Sequence, residues 1–194
     1  MSQLIITRAD EVQDTLRQRP VVAVLSIEHP GCVAGGKGAA PRLDGVPQKI
    51  LCFWDSEEKV AGGPNAAQIK QGIAFVMEHL EHGDVLIHCH AGKARSTAIA
   101  LGVLALQYPE KDETTLLNML FDIRPVAAPN ILIVSMVDEL AGRDGRLIKV
   151  VLAHPVISAQ RRQAEESRQA QLRKNPELAK KFHPEKFPKK FPQP

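Results

Sequence analysis

With 194 residues, 44 % of them hydrophobic, and a formal net charge of +3, the chain is long enough to bury a full core and too apolar to be disordered throughout. No window approaches the roughly 18 apolar residues that a membrane helix needs, and Cys32, Cys52 and Cys89 form neither a disulfide framework nor a zinc pattern. The N-terminal MSQLIITRADEVQ lacks the basic-then-apolar plan of a secretory leader, so the expected location is cytoplasmic.

Strands and helices alternate along the first half in the α/β manner. Residues 4–6 read as a short strand, residues 10–17 as a helix carrying Val12 and Leu16, and residues 21–27 as a β-branched strand buried on both faces. Residues 28–48 form a long loop rich in Gly, Pro and Ala, whose Lys37 and Arg42 are read as solvated charges, with contact to an acidic substrate as the alternative. Residues 49–54 are the next strand, with Cys52 read as core and Trp54 as a packing aromatic; it ends beside Asp55, with Glu57 and Glu58 close behind. A helix is expected over residues 64–81, Pro64 taking its first position and Ile69, Ile73, Val76, Met77 and Leu80 its apolar face.

The most informative stretch is VLIHCHAGKARSTAIALGVLAL, residues 85–106. An apolar strand passes through a short polar loop into an Ala/Leu-rich helix, with Cys89 and Arg95 separated by five residues at the junction. Such a loop aims successive amide N–H groups at one centre, and the helix adds the positive end of its dipole, which makes an anion cradle from His90, Ala91, Gly92, Lys93, Ala94 and Arg95. The same field favours a thiolate at a helix N-terminus. Arg95 supplies a planar fork of donors for two phosphoryl oxygens, which a lysine cannot match. Beyond lie helices over residues 112–123 and 130–140, separated by Pro125 and Pro129.

HCHAGKARS resembles the signature loop of the cysteine-dependent protein tyrosine phosphatase superfamily, met at His88, Cys89, Gly92, Arg95 and Ser96. The compact build points to its dual-specificity or small bacterial branch. The resemblance implies a central mixed sheet flanked by helices, a phosphocysteine intermediate on Cys89, phosphate binding by Arg95, a Ser96 hydroxyl that steadies the thiolate, and His88 orienting the loop from behind. It also implies a general acid at the end of the preceding strand, where Asp55 is preferred over Glu57 and Glu58. IRPVAAPN is similar to the family's supporting segment, which makes Arg124 and Asn130 support residues. No metal or organic cofactor is implied. The expected substrate is a phosphorylated protein; the basic His90 and Lys93, with AGK in the loop, keep a phosphoinositide or inositol phosphate as the alternative. A phosphate-binding module without turnover, an arsenate reductase or sulfur-transfer enzyme using Cys32 or Cys52, and a protective Cys52–Cys89 disulfide are further alternatives.

Residues 1–155 are expected to form the catalytic domain, and residues 156–194 a polar helix and a Lys/Pro/Phe-rich tail. From Gln160 onward ten Lys and Arg face four Glu, so the basicity lies in the tail. Its repeated Lys-Phe pairs at Lys181, Lys186 and Lys190 read as solvated, with an acidic partner or anionic membrane surface as the alternative. No nucleic-acid partner is expected.

Overall fold

The computed structural model describes residues 2–33, 35, 36 and 38–174. The chain divides into two compact units, Met1–His154 and Pro155–Pro194. In the first, the strands are β1 (Leu4–Arg8), β2 (Val21–Glu28), β3 (Gln48–Cys52) and β4 (Asp84–Cys89). They form one sheet in the order β1-β4-β2-β3, and all three pairings are parallel. The α/β class and the helix-flanked sheet stand, but the mixed sheet expected from the resemblance is a parallel one. Each strand-to-strand connection is long enough to return the chain to the same end: α1 (Val12–Gln18) after β1, the 29–47 segment after β2 and α2 (Ala66–Leu80) after β3. All four strands therefore end on the same side, and that side carries the site.

One face of the sheet is covered by α1 and by the long segment after β2. Ile5, Val12, Val21, Val24 and Leu86 form a cluster there, with Leu16, Leu43 and Val46 packed against it. Leu43 and Val46 thus do for the sheet what a second helix otherwise does. The opposite face holds α2 and α3 (Arg95–Gln107). Helix α3 is buried from Arg95 to Ala105, because the sheet lies on one side and α2, α4 (Glu113–Ile123) and α5 (Ile131–Leu140) surround the rest. This explains a sequence apolar all round and without a polar stripe.

Local signals set the helix ends. The Asn65 side chain accepts from the Gln68 N–H, so α2 begins one residue after this cap and Pro64 stands outside the helix rather than at its first position. Of the predicted face, Ile69, Ile73, Val76 and Leu80 are buried and Met77 is half-buried. Asp112 caps α4 and Asn130 caps α5 in the same way. Helix α6 (Arg146–Ala153), which sequence reading missed, starts where Gly145, Leu147 and Ile148 donate backbone N–H groups to the Asp138 carboxylate. In the second unit the described residues form α7 (Pro155–Lys174), where Gln169 donates to Glu165 one turn earlier. Lys181, Lys186 and Lys190, like Lys37, lie outside the described residues. Among the described residues no helix is long and apolar enough to cross a membrane.

Gly102 permits the packing around α3: a Cβ there would come within 2.7 Å of Ile73 Cδ1 and 2.8 Å of Val137 Cγ2. Gly102→Val should therefore overpack the α2–α3–α5 junction and destabilise the fold by about 1–3 kcal/mol, read as a lower urea midpoint at unchanged slope.

Candidate active site

Cys89 is the last residue of β4 and Arg95 the first of α3, so residues 90–94 form the loop between them. Its shape is set by where its carbonyls go. His90 O accepts from Ala9 N at 3.3 Å, Lys93 O from Ala128 N at 2.8 Å, and Ala94 O from Asn130 N at 3.2 Å. Gly92 O accepts from Arg124 Nε at 3.1 Å, and the Thr97 hydroxyl donates to Lys93 O and, at 3.0 Å, to Ala94 O. With these carbonyls anchored outward, planar trans peptides turn the N–H groups of Ala91, Lys93, Ala94 and Arg95 the other way, toward the loop's centre. Gly92 makes the curl possible at φ +60°, where a Cβ would lie 2.4 Å from Thr7 O. The end of β1 therefore backs the loop, and Arg124, held also by Glu11 at 3.6 Å, buttresses it.

Cys89 is 1 % exposed, and its Sγ lies 3.3 Å from the Ser96 hydroxyl. Behind it, His88 Nε2 is 2.7 Å from the Ser26 hydroxyl, which also accepts from Gln48 Nε2 at 2.8 Å. His88 and Ser26 are both fully buried, so a link from β4 through β2 to β3 fixes the strand that carries the cysteine. Arg95, 2 % exposed, donates from Nη1 to Phe53 O at 3.1 Å and toward Glu28 O at 3.5 Å, and from Nη2 to His29 Nε2 at 3.0 Å. Its Nε has no hydrogen-bond partner and faces Asp55 Oδ2 at 3.7 Å. Asp55 in turn accepts from Asn130 Nδ2 at 2.8 Å, and the same amide reaches Ser56 O at 3.1 Å. Asp55, exposed like Glu57 and Glu58, is held against Arg95 and Asn130 by these contacts.

The remaining candidates separate clearly. His90 and Lys93 are exposed on the loop, and Trp54 is half-buried beside His29, ring centroids 5.4 Å apart. Trp54 has already left the sheet, since β3 ends at Cys52 and the Trp54 N–H bonds to Gly62 O at 2.8 Å. Arg42, expected as a solvated charge, is tied to the Glu28 carboxylate at 2.9 and 3.3 Å. Burial alone raises the Glu28 pKa, but Arg42 and the Ala40 N–H outweigh it and lower the net value. Cys52 is exposed rather than core, and β2 lies between its strand and that of Cys89. Two strand spacings, about 10 Å, separate those strands, too far for a disulfide between them. Among the described residues no cluster of three or more His, Cys, Asp or Glu is arranged to hold a metal.

His29 was missed by the sequence reading. It is a lone histidine at the start of a Gly/Pro-rich loop, and only its contact with Arg95 marks it. Its pKa is lowered from 6.5 to about 4 by burial, then by Arg95 and His90. That of His88 is likewise lowered to about 4, chiefly by burial, with a backbone contact to Cys89 opposing. For His88 the unfolded chain binds the proton more readily than the folded one, so its contribution to stability is complete above pH 6.5 and is lost as the pH falls toward 4. Urea unfolding should show that decline, amounting for this group to the order of 3 kcal/mol, and a flatter profile in His88→Asn.

No family model and no curated protein sequence matches the chain. Solved structures do. The human tyrosine phosphatase-like serine/threonine/tyrosine-interacting protein aligns with a TM-score of 0.60 at 16 % identity, over 73 % of this chain and 92 % of that one. DUSP15 aligns with 0.59 at 20 % identity over 78 % and 91 %, and human DUSP28 with 0.58 at 17 % identity over 72 % and 92 %. The chain thus has the fold of the dual-specificity branch of the cysteine-dependent phosphatases.

Proposed function

We propose that the protein is a phosphatase that hydrolyses phosphate monoesters through a phosphocysteine intermediate. One observation carries this reading: a buried cysteine sits at the base of a loop whose carbonyls face outward, with Arg95 and Asp55 together on its rim. The phosphoryl group enters the loop, its oxygens taking the inward N–H groups and the Nε–Nη2 edge of Arg95 in place of the Asp55 contact. The Cys89 thiolate attacks phosphorus; the S–P bond forms as the P–O bond to the leaving group breaks, and protonated Asp55 delivers its proton to the departing oxygen. In the second half Asp55, now a carboxylate, takes a proton from the water that attacks phosphorus. The S–P bond breaks, inorganic phosphate leaves, and the Ser96 hydroxyl donates to the returning thiolate. Asn130 keeps Asp55 at the rim throughout.

A phosphorylated protein suits the surroundings better than a multiply phosphorylated inositol. Beyond His90 and Lys93, which are exposed on the loop itself, the arginines around the site are already engaged: Arg8 by Asp10, Arg42 by Glu28, and Arg124 by Gly92 O and Glu11. Further phosphates need cations that such pairs neutralise.

Hydrolysis of para-nitrophenyl phosphate from pH 5 to 8 without added metal tests the chemistry. Cys89→Ser should abolish it, and retained turnover in that variant would overturn the reading. Asp55→Asn should lower kcat by roughly 10²–10⁴-fold on a phosphotyrosine peptide, whose leaving group needs the proton, and by less on the nitrophenyl ester. Lys93→Ala should leave the ratio of phosphoinositide to phosphopeptide turnover unchanged; a clear fall in that ratio would instead favour the inositol class.

A further inference from the structure

We infer that His29 is the positioning residue for Arg95, accepting a hydrogen bond from Nη2 as a neutral imidazole and so turning the Nε–Nη2 edge of the guanidinium toward the phosphate; this rests on the phosphatase reading above. A guanidinium has only donors, so at 3.0 Å from Nη2 the His29 Nε2 must be the acceptor, and the ring carries its proton on Nδ1. Nη1 is taken by Phe53 O at 3.1 Å, with Glu28 O at 3.5 Å beyond. With Nη1 and one side of Nη2 held by the protein, the donors left are Nε, which has no hydrogen-bond partner although Arg95 is 2 % exposed, and the second Nη2–H. With His29 on the Nη2–H that faces Nη1, as the proposal requires, Nε–H and the remaining Nη2–H point in parallel from one edge, the geometry that two phosphoryl oxygens accept. Without His29, the neutral acceptors that hold the guanidinium are only the two carbonyls on Nη1, and the remaining contact, Asp55 at 3.7 Å from Nε, is the one the phosphate displaces.

The ring is built into place. The His29 N–H donates to Gly38 O at 3.2 Å, and His29 O accepts from the Cys32 N–H at 3.4 Å. The imidazole stands between Trp54 and His90, centroids 5.4 and 6.2 Å away. Gly38, at φ +88°, leaves the room it occupies, since a Cβ there would fall 2.8 Å from Nδ1. Burial and the neighbouring guanidinium keep the ring neutral, the state that the contact requires. None of this depends on the cysteine, so the role can be read on a bound oxyanion without turnover.

The test uses the full chain and sodium tungstate, a phosphate mimic, with affinity measured by calorimetry and as competitive inhibition of para-nitrophenyl phosphate hydrolysis. His29→Phe keeps a ring but no acceptor, and should weaken tungstate about ten- to hundredfold and raise KM in step. His29→Gln places an amide oxygen near the Nε2 position and should recover most of both. Unweakened tungstate binding in His29→Phe would overturn the proposal, as would equal losses in the Phe and Gln variants, the sign of a packing role alone. If the wild type binds tungstate in an Arg95-dependent way but turns over no ester, the phosphatase reading falls while the affinities still decide the role of His29. A wild type that neither binds tungstate nor hydrolyses ester overturns both.

Discussion

A guanidinium that is 2 % exposed is the constraint on which this structure turns. Taking a charge out of water costs several kcal/mol unless its donors are met, and Arg95 meets them with groups from separate parts of the chain. Glu28 O and His29 come from the end of β2, Phe53 O from the chain just beyond β3, and Asp55 from the loop that follows. Neutral acceptors hold the far side of the group, while the carboxylate stands at 3.7 Å, a separation that leaves Nε without a hydrogen bond. The arrangement stabilises the charge yet leaves the Nε donor without a hydrogen bond.

The sheet makes that convergence possible. In a parallel sheet every strand delivers its C-terminal end to the same side, and ligand sites lie outside those ends. Here β4 delivers Cys89, β2 delivers Glu28 and His29, β3 leads to Phe53 and Asp55, and β1 delivers the Thr7 and Arg8 backbone against which Gly92 packs. The same helix that buries the core also starts at the loop, so the packing of α3 and the aim of its first amides are one feature. At its other end α3 is fastened by Arg143, which donates to the carbonyls of Ala105, Tyr108 and Lys111 and to Glu113. The loop thus stands on a helix secured at both ends.

The segment between α4 and α5 performs two tasks with few residues. Its backbone N–H groups at Ala128 and Asn130 hold loop carbonyls outward, and the Asn130 side chain both caps α5 and grips Asp55. One residue therefore couples the helix end, the 90–94 loop and the Asp55 carboxylate. The prolines at 125 and 129 suit this segment, because they disfavour helix and keep its backbone donors free for the loop.

The sequence alone determined what depends on covalent order and local backbone preference. Cys89, Gly92, Arg95 and Ser96 were legible because a strand, a tight five-residue curl and a helix start fix their relations within eight residues, whatever the rest of the chain does. The helices that start next to Asp112 and Asn130 and the buried face of α2 were legible for the same reason: the residues that define them lie three or four positions apart. Helix α6 was not, since the carboxylate at its start belongs to Asp138 in the helix before it. Only the tertiary structure decided the relations that cross the sheet. The order β1-β4-β2-β3 brings His29 to a guanidinium 66 residues away and sets Asp55 apart from Glu57 and Glu58 through Arg95 and Asn130. The same order leaves Cys52 exposed two strands from Cys89. Those contacts rest on long-range pairing, whose register follows from the burial of whole faces and leaves no mark in the residues immediately around each side chain.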